Sequence, residues 1–150
     1  MQGAGKIKKG FTLVELIVII VVVGIMALIA APRFFSQPTF DASRFHEAAI
    51  SAIRYAQKVA VTQRANVFVV ASASMVALCY DAGCATKVKS PGGSDDFVVA
   101  IPSGIGITPT SFNFNSLGQP IPNVPTVLSI SGDGSSRQIV VEQETGYVHK

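Results

Sequence analysis

The sequence predicts an α+β fold: a long N-terminal α-helix, membrane-spanning in its first half, packed on antiparallel β-sheet. Three observations carry that expectation. Residues 11–31 form an apolar run with a single charge, Glu15. Residues from Phe45 to about Arg64 repeat apolar positions at three- and four-residue steps. Beyond Asn66 the chain breaks into short β-branched or aromatic runs separated by turn residues. The expected organisation is a leader over 1–10, a membrane helix over 11–31, a joining helix over 32–65 and a β-rich head over 66–150.

Length leaves room for one domain besides the apolar segment. Charged residues make up only 14% of the 150 residues, low for a soluble domain. The formal charge is +3, from 12 basic and 9 acidic residues, but Lys6, Lys8 and Lys9 all lie in the first ten. Without those three, nine basic residues face nine acidic ones. The excess charge therefore belongs to the tip and says little about a basic face on the head.

As a helix, residues 11–31 would measure about 31 Å, enough to cross a bilayer core. Lysines before the run and none within it favour a cytoplasmic N-terminus, leaving everything after Pro32 across the membrane. A cleavable secretory signal fits less well: the candidate junction Ile29-Ala30-Ala31 has a bulky residue at a key position and Pro32 just beyond. A plain anchor leaves Glu15 unexplained. A carboxylate at that depth costs about 2.5–3.5 kcal/mol on insertion scales. Dipole stabilisation near a helix start, about 0.3–1 kcal/mol, does not offset this.

Pro32-Arg-Phe-Phe-Ser-Gln-Pro38 interrupts the helical pattern, and a second helix is expected to start at Thr39 or Asp41. Its stripe is Phe45, Ala49, Ala52, Ile53, Ala56, Val59, Ala60 and Gln63, ending near Arg64-Ala65-Asn66. Arg44, Glu47, Arg54, Lys58 and Arg64 fall mostly off that stripe, and His46 reads as a surface residue. The expected strands are Val67–Ala71, Met75–Tyr80, Phe97–Ile101, Phe112–Asn115, Thr126–Ser131 and Arg137–Glu142, and the closing Glu142-Gln-Glu-Thr-Gly-Tyr-Val148 is expected to turn onto a last strand. Gly132-Asp133-Gly134 is a hairpin signal. Cys79 and Cys84 flank a turn. They form a disulfide if the head is exported and remain two thiols if it is not.

Little points to catalysis or cofactors. The two histidines, His46 and His149, have no evident nucleophile and carboxylate beside them. Gly104-Ile-Gly106 lacks the third glycine of a dinucleotide loop. Asp95-Asp96 reads as two solvated acids rather than a calcium site, so no metal, cofactor or enzymatic activity is expected. Lys87, Lys89, Arg137 and Lys150 are the basic residues that could gather into a nucleic-acid face, which the neutral balance disfavours.

Lys9-Gly10-Phe11-Thr12-Leu13-Val14-Glu15-Leu16 resembles the type III signal sequence of type IV pilins and type II secretion pseudopilins. The resemblance implies cleavage after Gly10 by prepilin peptidase and N-methylation of Phe11. It implies that Glu15 attracts the Phe11 amine of a neighbouring subunit during assembly, a pairing that would make a buried carboxylate tolerable. Gly24 and Pro32 also match the family, where they are places for the helix to stretch. Ala52-Ile-Arg-Tyr-Ala-Gln-Lys-Val-Ala-Val, Phe112-Asn-Phe-Asn-Ser-Leu-Gly-Gln-Pro and Ile139-Val-Val-Glu-Gln-Glu-Thr-Gly-Tyr-Val resemble the H-type pseudopilin and FimT-like domain, most closely minor pilins of the MSHA pilus. The implied function is a structural subunit of a type IV pilus, with a type II secretion pseudopilin as the alternative and a DNA-binding or adhesive minor pilin behind both. Implied partners are the peptidase, other pilin subunits, the inner-membrane assembly platform and the membrane itself. The implied location is the bacterial inner membrane, single-pass, with the head periplasmic.

Overall fold

The computed structural model describes residues 11–30, 37–132 and 134–150. The expected leader with Gly10, the Pro32 position and Asp133 lie outside the described residues. The chain divides into two compact units, Met1–Ser36 and Gln37–Lys150.

In the first unit, helix α1 runs Leu13–Ala30. Its start is capped by Thr12, whose Oγ1 accepts the Glu15 N–H at 3.2 Å, while the Thr12 carbonyl accepts from Leu16 N–H. The cap places Phe11 and Thr12 before the helix, so it starts two residues later than the expected Phe11. Its 18 described residues measure about 27 Å at 1.5 Å per residue. Among the described residues no helix is long and apolar enough to cross a membrane. The helix passes through Gly24 without interruption.

In the second unit, α2 spans Gln37–Gln63. It begins two residues ahead of Thr39 because Pro38 falls in the first turn, where a missing N–H costs nothing. It ends with Arg64 at φ 52° and the Ala65 N–H donating to the Ala60 carbonyl at 3.2 Å, a Schellman closure made without glycine. The buried stripe is Ala42, Phe45, His46, Ala49, Ile50, Ala52, Ile53, Ala56, Val59 and Ala60. It stops before Gln63, which is exposed and accepts a hydrogen bond from the Tyr80 hydroxyl at 2.8 Å.

Among the described residues the strands that follow are β1 Val67–Ala71, β2 Met75–Cys79, β3 Val98–Ala100, β4 Gly106–Ile107, β5 Thr110–Phe114, β6 Pro120–Ile121, β7 Thr126–Gly132, β8 Ser135–Val141 and β9 Val148–His149. They form two antiparallel sheets, ordered β3-β2-β1-β5-β6 and β4-β7-β8-β9. Helix α2 packs on both. Val67 and Val69 of β1 alternate inward with Phe112 and Phe114 of β5, and Leu128 and Ile130 of β7 with Ile139 and Val141 of β8. The β7–β8 hairpin closes at the Gly132↔Ser135 pair, with Gly134 at φ +78°. Six strands lie where the sequence pattern put them, give or take two residues. The two-residue β9 follows the closing turn as expected, whereas the two-residue strands β4 and β6 had no pattern to reveal them.

Candidate functional site

The N-terminal unit holds the first group of candidate residues. Every described side chain from Phe11 to Leu28 is exposed, and Phe11 is 69% so. The carboxylate of Glu15 has no hydrogen-bond or ion-pair partner among the described residues, although its own N–H is bound to Thr12. Thr12-Leu-Val-Glu15 has the Thr-x-x-Glu spacing of a capping box, a signal available in the sequence that assigns Thr12 a role the motif reading missed. Gly24 has nothing within 4 Å of the position a Cβ would take, so no contact among the described residues requires glycine there.

On the head, Cys79 and Cys84 are joined by a disulfide with Cα atoms 5.1 Å apart. Asp81 organises the loop between them. Its carboxylate accepts from Ala85 N–H at 2.9 Å and Thr86 N–H at 2.7 Å, and these bonds hold it below its ordinary 3.8. Cys84 sits at φ 56°, and the ladder resumes at the Cys79↔Lys87 bridge.

The two C-terminal motifs meet on the helix. Gln57 of α2 donates its amide to the Gly118 carbonyl at 2.9 Å and to the Thr145 carbonyl at 2.8 Å. Phe112–Pro120 and Ile139–Val148 therefore converge on one side chain. The Gly118 turn is fixed further by Asn115, whose Oδ1 accepts from Leu117 and Gln119 N–H at 2.9 and 3.0 Å. These motifs act as structural clasps, and no reactive group sits among them.

The four basic residues that might have made one face separate into two places. Lys89 pairs with Asp96 at 2.8 Å and Lys87 with the same carboxylate at 3.7 Å; the Lys89 bond leads in holding Asp96 below its usual value. Arg137 and Lys150 instead line a cavity of about 520 Å³ beside Ser136 and Gln138 of β8 and Ser43, His46 and Glu47 of α2. Lys150 Nζ lies 2.5 Å from Glu47 Oε1, and this bond lowers the Glu47 pKa.

His46 is not a surface residue: it is 4% exposed. It continues the stripe from Ala42 and precedes Ala49 and Ile50, and i, i+3, i+4 spacing was the signal that would have placed it inside. Burial is tolerated because Nε2 lies 3.1 Å from the Gln138 carbonyl; a carbonyl only accepts, so Nε2 carries the proton. Farther along α2, Arg54 donates twice to the Val148 carbonyl, at 3.3 and 2.8 Å. His149 lies 2.8 Å from Glu142, which raises the histidine pKa above 6.5.

Comparison with known proteins adds two findings. Residues 5–31 match the prokaryotic N-terminal methylation motif. The type IV minor pilin FimU of Pseudomonas aeruginosa superposes with a TM-score of 0.55 at 16% identity, over 75% of this chain and 91% of that one. A second crystal form of FimU gives 0.53 at 17% identity, over 71% and 90%. The minor pseudopilin EpsH from the Type 2 Secretion System of Vibrio cholerae gives 0.51 at 14% identity, over 76% and 95%. No curated protein matches by sequence. The chain thus carries a prepilin-type methylation motif followed by the pilin-like α+β fold that FimU and EpsH share.

Proposed function

We propose that the chain is a minor pilin or pseudopilin: a structural subunit, not an enzyme, cleaved after Gly10, methylated on Phe11 and assembled through α1 into a filament. The observation that carries this reading is the methylation motif at residues 5–31, laid on an exposed apolar helix with one carboxylate. Prepilin peptidase would act on the cytoplasmic side. The segment 11–31 would anchor the subunit in the inner membrane by a single pass, with the head on the periplasmic side, where the Cys79–Cys84 disulfide is stable. In the low dielectric among packed helices, Glu15 would be matched by the Phe11 amine of the next subunit, which fixes axial register.

The system we favour is a type IV pilus of the MSHA kind, on the likeness of the helix and both C-terminal motifs. The fold shared with EpsH supports a second reading, a minor pseudopilin of a type II secretion system. The intact mass and N-terminal residue of the protein taken from membranes test the processing. Methylated Phe11 is the expected terminus, and a chain beginning at Pro32 would return it to a secreted domain. Glu15→Val should leave cleavage intact but reduce incorporation into filaments; normal incorporation would remove the role given to Glu15.

A further inference from the structure

The five-stranded sheet packs one face on the core and turns the other outward. Its register sets Ile121, Asn113, Phe68 and Cys79 side by side in one row, and Ser111, Val70, Ala77 and Val98 in the next. Val69, Leu78, Phe112 and Phe114, which alternate with them along the strands, belong to the core, so both rows point away from it. Met75 lies beside Ala100 farther along, and none of the outward residues of these strands is charged. Met75, Val98 and Ile121 are exposed, while Phe68 and Val70 are half-buried. A sheet face turned to water normally alternates to polar side chains, whereas this sheet is largely apolar on both faces.

Asn113 breaks the apolar pattern. It stands between Phe68 and Ile121 and is only 9% exposed, yet its side-chain amide makes no hydrogen bond to a described residue. A polar group so nearly buried is normally bonded, and alternation aims this one out of the sheet. An amide carries both donors and an acceptor, so a second amide complements it. Another copy of the chain supplies one, because two Asn113 side chains facing each other across a two-fold axis can exchange a pair of hydrogen bonds. The rows span about 19 Å across the strands and about 16 Å along them, an area of about 300 Å². Two such faces bury about 600 Å², half of the roughly 1,200 Å² at which stable free interfaces begin. The face therefore suits partners already held close together, as chains anchored side by side in one membrane are.

We propose that the outer face of the five-stranded sheet docks on the same face of a second copy of this chain, centred on an Asn113–Asn113 pair. Phe68, Val70 and Ile121 supply the apolar contact, and the amide pair sets the register, as a single buried polar residue does between helices. No charge is stripped of water when the two faces meet. The contact rests on the membrane anchorage proposed above, but on neither cleavage after Gly10 nor Glu15.

The test uses the purified full chain reconstituted in liposomes, where a second copy is the only protein within reach. A benzophenone amino acid is placed at Ile121, beside Asn113, or at Leu117, which is exposed but outside the outward rows. Dimers formed on illumination are mapped by mass spectrometry. Ile121 should give at least about tenfold more dimer than Leu117, joined to β1, β5 or β6 of the second copy, and dilution in detergent should abolish it. Ser111→Lys, at an exposed position, should cut the yield about fivefold or more with an unchanged urea midpoint, because like charges then meet. Ser111→Leu should not cut it. Asn113→Leu should keep the dimer but scatter the junctions over several partner peptides. Equal yields from Ile121 and Leu117, or capture of lipid alone at Ile121, would mean that no second copy covers the face. Junctions that stay in one place in Asn113→Leu would remove the role given to Asn113. Glu15→Val should leave the Ile121 dimer in place, and its loss would assign the dimer to α1. Intact mass of the same sample reports cleavage and methylation separately.

Discussion

Single residues in the head are held by contacts whose cost of loss differs with surroundings. Gly146 and Gly134 share a left-handed backbone, at φ +64° and +78°. A Cβ on Gly134 meets nothing within 4 Å, whereas one on Gly146 collides with the Gly118 carbonyl and crowds Gln57 and Phe114. Both substitutions to alanine incur backbone strain of about 1–3 kcal/mol. Only Gly146→Ala must also part the two turns that Gln57 holds together, so it should cost clearly more than Gly134→Ala. Urea unfolding of the full chain in detergent checks this: equal losses would mean that the junction gives way without penalty. His46 teaches the same lesson in the other direction. Its type suggested the surface, but its place on the helical stripe and the Gln138 carbonyl outweigh type.

At the scale of elements, α1 is a helix whose side chains from Phe11 to Leu28 are all exposed. Gly24→Ala adds a methyl into open space and should favour the helix by about 1 kcal/mol. Slower amide exchange around that position in detergent is the expected result. If the helix must stretch on assembly, the same variant should reach the membrane normally yet enter filaments less; unchanged incorporation would remove the flexibility role from Gly24. The existence of both helices and of six strands was legible because each has a run long enough to show its period. Strands β4 and β6 have two residues each and are defined by their partners, Ser131↔Gly106 and Phe114↔Pro120, which no local pattern announces. The Arg64 closure of α2 was equally hidden, because that conformation normally calls for glycine. The methylation motif at residues 5–31 was readable because its residues are contiguous. The cavity beside β8 was not: Ser43, Gln138 and Lys150 are far apart in the chain and meet only through the fold.

Across the whole head, pH acts most directly on the C-terminal strand β9, which is short and held partly by charge. Lys150 pairs with Glu47 and His149 with Glu142, while Arg54 pins the Val148 carbonyl. Glu47 is lowered from 4.5, chiefly by the Lys150 bond; Asp81 and Asp96 are lowered from 3.8, chiefly by the Ala85 N–H and by Lys89. A carboxylate with a depressed folded-state pKa contributes stability above its unfolded value and loses it as pH falls through the folded one. His149 is raised above 6.5 by Glu142, so its contribution is complete below 6.5 and is lost as pH rises through the folded value. Stability should therefore peak in the mildly acidic window between 4.5 and 6.5 and decline on both sides. Glu47 and Asp96 are exposed and Asp81 and His149 only half-buried, so the effects should be small and should shrink with added salt. Urea midpoints across the pH range check the shape. His149→Gln should flatten the alkaline limb and leave the acid limb in place, because Glu47, Asp81 and Asp96 keep their partners. An alkaline limb that survives this substitution would place its origin outside β9.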